Sequence, residues 1–317
     1  MNPVAGIQRV AVVGTGLIGS SWAALFLAHG LDVVATDPAE GAEERLRASV
    51  ALIRSKLALW GLAPSASGGE LRFERQWEAA VAGVDFVQEN GPERIDFKIE
   101  LFARLDAALP PRVLLASSTS GLSIGAMQAG CAHPERCLIG HPFNPAHLIP
   151  LVEIVGGPRT AVACLEQAEA FYTGLGKRTI RLQKEMVGHV ANRLQAALWR
   201  EAIHLVNEGV VSVAEVDAAV CYGPGLRWAL AGPNLNFHLG GGEGGMAHFM
   251  NHLSGPMATW WQDLGAPDLT PEIKAKIIAG VAAAAAGRSV AGLTAQRDEL
   301  LAGVLALKQA DAARDFA

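Results

Sequence analysis

The sequence predicts an α/β protein: a Rossmann-type, doubly wound, mostly parallel sheet at the N-terminus, followed by an all-helical C-terminal domain. Three observations carry this reading. Short β-branched-rich runs alternate with helical stretches to about residue 183, a glycine fingerprint joins the first run to the first helix, and helical periodicity dominates from Gly188 onward. The expected division is residues 1–185 and 186–317, with the change of pattern between Lys184 and Gly188.

The elements follow in order. Residues 9–13 form a short strand, Gly14-Thr15-Gly16-Leu17-Ile18-Gly19 a turn, and residues 20–30 a helix. A second apolar run over 31–35 ends at Thr36-Asp37, completing a βαβ unit. Further strands are expected at 84–88, 113–117, 137–140 and 151–155, separated by helices such as 94–109 and 161–175. Beyond Gly188, Val190, Leu194, Ala197, Leu198, Leu205 and Val206 share one helical face. Later helices are expected at 213–221, 246–252, 271–287 and 293–311, with Thr270 as N-cap and Pro271 at the first helical position.

Composition narrows the function classes. The 317 residues are half apolar and 18% charged, with a formal net charge of -5 and no basic run. Nucleic-acid binding is therefore not expected. Apolar stretches are broken by His29, Asp32, Arg54 or Lys56 before they reach membrane-spanning length, so no membrane partner is expected. Met1-Asn2-Pro3-Val4-Ala5 is unlike the start of a signal peptide, and a cytoplasmic location follows as the expectation. Cys131, Cys137, Cys164 and Cys221 form no CxxC pair, which argues for reduced thiols and no metal site.

The glycine turn sits where a dinucleotide fingerprint belongs. Gly14 permits the tight turn, Gly16 lets the backbone approach a pyrophosphate, and Gly19 lets helix and strand pack closely. The amides opening the helix, at Leu17 and Ile18, face the phosphates with the positive end of the dipole. Asp37 stands at the distance expected of a ribose-binding acid, and a carboxylate there repels a 2′-phosphate. The expected cofactor is NAD.

Two further segments concentrate polar groups at strand ends: Ser117-Ser118-Thr119-Ser120-Gly121 and His141-Pro142-Phe143-Asn144-Pro145. Glu153 lies in the apolar run 151–155, where a carboxylate is costly to bury without a partner, and His141 is the nearest candidate. Such a pair orients the imidazole and stabilises its charged form, as a general base for an alcohol proton requires. A lone His or a Ser/Thr cluster is usually structural. A hydride-accepting cofactor nearby gives a proton acceptor a purpose.

These motifs, together with Leu151-Val152-Glu153 and Gly188-His189-Val190-Ala191-Asn192-Arg193-Leu194, resemble the L-3-hydroxyacyl-CoA dehydrogenase superfamily over nearly the whole chain. The resemblance implies that His141 is the catalytic base, Glu153 its charge partner, and Ser120 and Asn192 hydrogen-bond donors to the reacting oxygen. It also implies that Glu93 and Lys98 lie near the nicotinamide ribose, and that the C-terminal domain serves substrate binding and homodimer formation.

The C-terminal half resembles the carnitine-oxidising branch of that superfamily, through residues 197–209, 222–229 and 241–246. A small 3-hydroxy acid, L-carnitine foremost, is the implied substrate. Its trimethylammonium calls for aromatic faces, which Phe143, Trp199, Tyr222, Trp228 and Trp260-Trp261 could offer, and its carboxylate for a donor such as Arg200 or Arg227. Phe143, Gly188, Ala191 and Gly223 are expected to shape the pocket by size and close approach. Asn192 departs from that branch, whose members often carry an acid there, and residues 233–238 differ as well. L-gulonate or a 3-hydroxyacyl-CoA as substrate, or a crystallin-like NAD-binding protein without catalysis, are the alternatives that share the architecture.

Overall fold

The computed structural model describes residues 6–62 and 69–311; the segment Met1–Ala5 lies outside the described residues. The chain divides into two compact units, Met1–Arg193 and Leu194–Ala317.

Among the described residues the first unit has eight strands: β1 (Arg9–Val13), β2 (Asp32–Thr36), β3 (Leu71–Phe73), β4 (Phe86–Glu89), β5 (Leu114–Ser117), β6 (Cys137–Pro142), β7 (Leu151–Gly156) and β8 (Arg178–Arg181). Their spatial order is β3-β2-β1-β4-β5-β6-β7-β8. Every neighbouring pair is parallel except β6 and β7, which run antiparallel. The order reverses between β1 and β4, and at such a switch point the loops leaving the carboxyl ends of the strands open a crevice. The glycine turn, the Ser117 segment and His141 all lie at those ends.

Strand alternation divides the core. Val10, Val12, Phe86, Leu138 and Ile154 face one layer, covered by α1 (Leu17–Ala28) and α2 (Ala42–Leu59). Ala11, Val13, Val87, Leu115 and Ile139 face the other, covered by α3 (Trp77–Val81), α4 (Ile95–Ala108) and α5 (Ile124–Met127). Burial on both faces explains why these strands read as nearly continuous apolar runs. On the first face Phe171 and Tyr172 of α6 (Val162–Gly174) pack with Trp22, Phe26 and Phe86, the Phe86–Phe171 centroids lying 4.4 Å apart. Lys177, beyond α6, is buried, gives its Nζ hydrogens to the Ala146 and Ile149 carbonyls, and lies 5.4 Å from the Trp22 ring.

The strand after α6 is short and half-exposed, which its Arg-Thr-Ile-Arg sequence reflects. α7 (Ala191–Asn207) then leads out of the first unit. The sequence pattern changes at 185/186, whereas residues 186–193 pack with the sheet through bonds to Thr119, Ser120 and Glu153.

The second unit is helical. It comprises the rest of α7, then α8 (Val213–Tyr222), α9 (Pro224–Trp228), α10 (Pro233–Gly240), α11 (Gly245–Asp263), α12 (Pro271–Ala285) and α13 (Val290–Asp311). α8 begins with a reciprocal capping box between Ser212 and Glu215, and α12 with Thr270 accepting from the Ile273 amide ahead of Pro271. α11 extends well past the expected 246–252, with Pro256 inside it. On α7, Ile203 and Val206 are buried, while Leu194 and Leu198 of the predicted apolar face stay exposed. No single described helix is long and apolar enough to cross a membrane.

Candidate active site

The turn after β1 shows why its glycines stand where they do. Gly14 has φ +89, and a Cβ on it would lie 2.8 Å from the backbone of Asn90. A Cβ on Gly19 would lie 1.9 Å from the Gly14 carbonyl oxygen, so helix and strand meet backbone to backbone. At Gly16 the same atom would meet nothing within 4 Å. Gly16 is the N-cap of α1 and provides no side-chain cap, so the helix opens with Leu17 and Ile18 beside bare backbone. Asp37, just past β2, braces the turn: its Oδ2 accepts from the Thr15 amide at 2.8 Å and hydroxyl at 3.1 Å.

A buried polar cluster supports the ends of β4 and β5. Lys98 Nζ donates to both Glu89 oxygens, at 2.7 and 2.8 Å, and both side chains are 1% exposed. Ser117 Oγ also donates to Glu89. Glu93 is half-exposed, accepts from Thr119 Oγ1 at 2.7 Å and the Ser120 amide at 2.8 Å, and lies 4.0 Å from Lys98. Glu93 is thus the exposed member of this group, while Lys98 is held by Glu89. Glu89 was not among the residues the sequence singled out; its signal was an acid closing the strand run Phe86-Val87-Gln88.

His141 and Glu153 are direct cross-strand partners in the β6–β7 pairing, on one face of the sheet. His141 Nδ1 lies 2.8 Å from Glu153 Oε2. The other carboxylate oxygen accepts the amides of Val190 and Ala191, each at 2.9 Å. Burial alone would raise the Glu153 pKa. The hydrogen bonds from His141, Ala191 and Val190 outweigh it and hold the carboxyl below its ordinary range. A charged Oε2 requires the proton on Nδ1, which leaves the Nε2 lone pair of His141 as a base.

The remaining expected residues fall as follows. Ser120 is exposed, and its backbone carbonyl accepts from Asn192 Nδ2 at 3.1 Å, so the Asn192 side chain ties its helix start to the Ser120 turn. The Phe143 ring stands edge-on to His141 with centroids 4.9 Å apart. Gly188, with φ +72, and Ala191 belong to the segment that clasps Glu153. Trp199 on α7, Gly223 between α8 and α9, and Trp228 at the end of α9 belong to the second unit. A Cβ at Gly223 would lie 2.4 Å from the Ala219 carbonyl oxygen, while Trp199 and Trp228 keep exposed ring faces.

The bare backbone at Gly16, the uncapped helix start and the acid after β2 fit the pyrophosphate and ribose of a dinucleotide. Comparison with known proteins agrees. The chain is 50% identical over 299 residues to L-carnitine dehydrogenase of Streptomyces griseus subsp. griseus, covering 94% of this chain and 89% of that one. It is 48% identical to L-carnitine dehydrogenase of Pseudomonas aeruginosa over 318 residues, covering 100% and 99% respectively. Among solved structures, an FHMPC 5-dehydrogenase described as an NAD+ dependent dismutase superposes with a TM-score of 0.81 at 29% identity, covering 98% of this chain and 100% of that one. Residues 9–186 match the NAD binding domain of 3-hydroxyacyl-CoA dehydrogenase and residues 188–270 its C-terminal domain. With both domains matched in order, the chain belongs to the 3-hydroxyacyl-CoA dehydrogenase family and is an NAD-dependent dehydrogenase.

Proposed function

We propose that the protein oxidises the 3-hydroxyl of L-carnitine to 3-dehydrocarnitine with reduction of NAD to NADH, acting in the cytoplasm as a homodimer. The substrate follows from the relation to L-carnitine dehydrogenases over 94 to 100% of the chain. The chemistry rests on one observation: a buried His141 whose Nδ1 is committed to Glu153, leaving Nε2 as the base.

Gly14, Gly16, Leu17, Ile18, Gly19 and Asp37 would hold the dinucleotide, and Glu93 with Lys98 would serve its nicotinamide ribose. Bound there, NAD supplies the hydride acceptor. Ser120 and Asn192 orient the substrate oxygen. His141 Nε2 takes the hydroxyl proton as the carbon–hydrogen bond gives up its electron pair with the hydrogen, and a ketone remains. Glu153 stabilises the imidazolium so formed, and its own charge is fixed by the two amides behind it. Because the trimethylammonium donates no hydrogen bonds, Phe143, Trp199 and Trp228 are assigned to its apolar and cation–π contacts, worth about 0.5–2 kcal/mol each. Gly188, Ala191 and Gly223 are assigned to substrate binding for their small size.

Dimer formation is supported by the apolar surface of the second unit, where Leu226, Leu230, Trp260, Trp261, Val290 and Leu307 are all exposed. Light scattering coupled to size exclusion reads a mass of two chains if this holds and one chain if it fails. The substrate is tested by NADH formation with L-carnitine, D-carnitine, L-gulonate and 3-hydroxybutyrate. Turnover confined to L-carnitine is expected, and its absence with L-carnitine overturns the assignment. His141→Ala abolishes turnover while NADH binding persists.

A further inference from the structure

We propose that His189 is a positioning residue for the base pair: its buried imidazole locks the turn whose next two amides hold Glu153. This rests on the reading of His141 and Glu153 as base and charge partner. Nothing in the chemistry above uses His189, yet it is 2% exposed and its ring centroid lies 5.2 Å from that of His141.

Backbone geometry makes the first part of the case. Gly188 has φ +72 and His189 φ +50, two successive left-handed residues. A turn of this kind directs consecutive amides toward one anion, and here Val190 and Ala191 both donate to Glu153 Oε1. Left-handed backbone is costly for a residue with a Cβ, and glycine would adopt it freely. What His189 adds at that cost is a side chain anchored to the Thr119 turn. Its Nε2 lies 3.1 Å from the Thr119 carbonyl, its amide donates to Met186, and Asn192 makes a parallel tie to Ser120. The two loops are in backbone contact, since a Cβ on Gly121 would lie 2.9 Å from the Gly188 nitrogen. One ring therefore links the Ser120 turn to the clasp on Glu153.

The protonation state supports this role. A carbonyl only accepts, so the ring proton sits on Nε2 and Nδ1 carries a lone pair, which has no partner among the described residues. The ring lines a cavity of about 120 Å³ together with Gly121, Ser123, Glu185 and Met186. The ionisable groups facing it are His141, Glu153 and, across this cavity, Glu185. Burial lowers the His189 pKa more than the Thr119 bond raises it, and His141 lowers it further. A neutral ring suits the position, because a second imidazolium would compete with His141 for Glu153.

His189→Leu removes the donor while keeping apolar bulk, and His189→Gln retains an amide donor at a similar reach. In the protein without cofactor or substrate, His189→Leu should speed hydrogen exchange of the Val190 and Ala191 amides by about tenfold or more. Amides of β1 and β4 should keep their wild-type rates. With substrate, kcat should fall about tenfold, KM for NAD should hold, and activity should fade roughly half a pH unit higher on acidification, as Glu153 loses its clasp. His189→Gln should recover most of each effect. Wild-type exchange at 190 and 191 in His189→Leu overturns the proposal, as does a pH profile unchanged by the substitution. If no 3-hydroxy acid is turned over, the catalytic reading fails while amide exchange still decides the role of His189.

Discussion

Two glycines three residues apart, Gly16 and Gly19, should respond to the same methyl group in opposite ways. At Gly19 the added carbon would stand 1.9 Å from the Gly14 oxygen, against a normal contact of roughly 3.3 Å. The helix must back away from the strand by over an ångström, and overpacking of this kind costs about 1–3 kcal/mol. For a unit of this size that lowers Tm by roughly 2–12 °C. At Gly16 the added carbon meets nothing within 4 Å and the backbone has φ -63, which alanine accepts. Losing a glycine N-cap costs about 0.5–1 kcal/mol and the stiffer unfolded chain returns about as much, so Tm should stay within about 2 °C. The methyl instead occupies the approach to the pyrophosphate. An overlap of about 1–3 kcal/mol weakens NADH binding about 5- to 150-fold. Thermal unfolding without ligand and fluorescence titration with NADH separate the two effects. A Gly16→Ala protein with wild-type NADH affinity, or a Gly19→Ala protein with wild-type Tm, refutes the assignment of the loop.

Two other perturbations test the site and its support. Glu153→Gln must set an NH2 group against either the His141 ring N–H or the Val190 and Ala191 amides, and it removes the charge opposite the imidazolium. We expect kcat to fall about a hundredfold or more with NADH affinity retained; a change within threefold in steady-state assays speaks against the pair. Burial pushes the Lys177 pKa down to about 7, so the unfolded chain binds the extra proton above that pH. Stability should therefore rise with pH from 7 to 8.5, by on the order of 2 kcal/mol from this group. Lys177→Met should lose that slope in urea unfolding, and equal slopes in the two proteins would sink the argument.

Much of the first unit was legible because its strands are buried on both faces and its turns carry glycine at required positions. β1, the Gly14–Gly19 turn and the apolar runs of β6 and β7 announce themselves this way. β3 does not, since three residues at a sheet edge, Leu71-Arg72-Phe73, leave no periodicity to detect. β8 hides for a related reason: four residues with Arg178 and Arg181 at the two ends resemble a connecting segment. At the site, an acid inside an apolar run pointed to Glu153 and hence to His141. The clasp on its far oxygen was invisible, because it depends on a left-handed turn 37 residues later in the chain. Lys98 shows the limit from another side: only the family resemblance points it toward the cofactor region, and only the fold reveals that Glu89 holds it.

The pairing of His141 with Glu153 across adjacent antiparallel strands separates catalytic geometry from loop evolution. Rungs of one ladder keep their side chains about 4.5–5.5 Å apart at Cβ whatever the connecting segment does. Residues 143–150, which join the two strands, can thus change outside the positions that hold Lys177 or pack in the core while the spacing of the proton-handling pair stays constant. A shift of a single residue in the ladder is another matter: it would turn Glu153 to the opposite side of the sheet and leave the imidazole without its counter-charge.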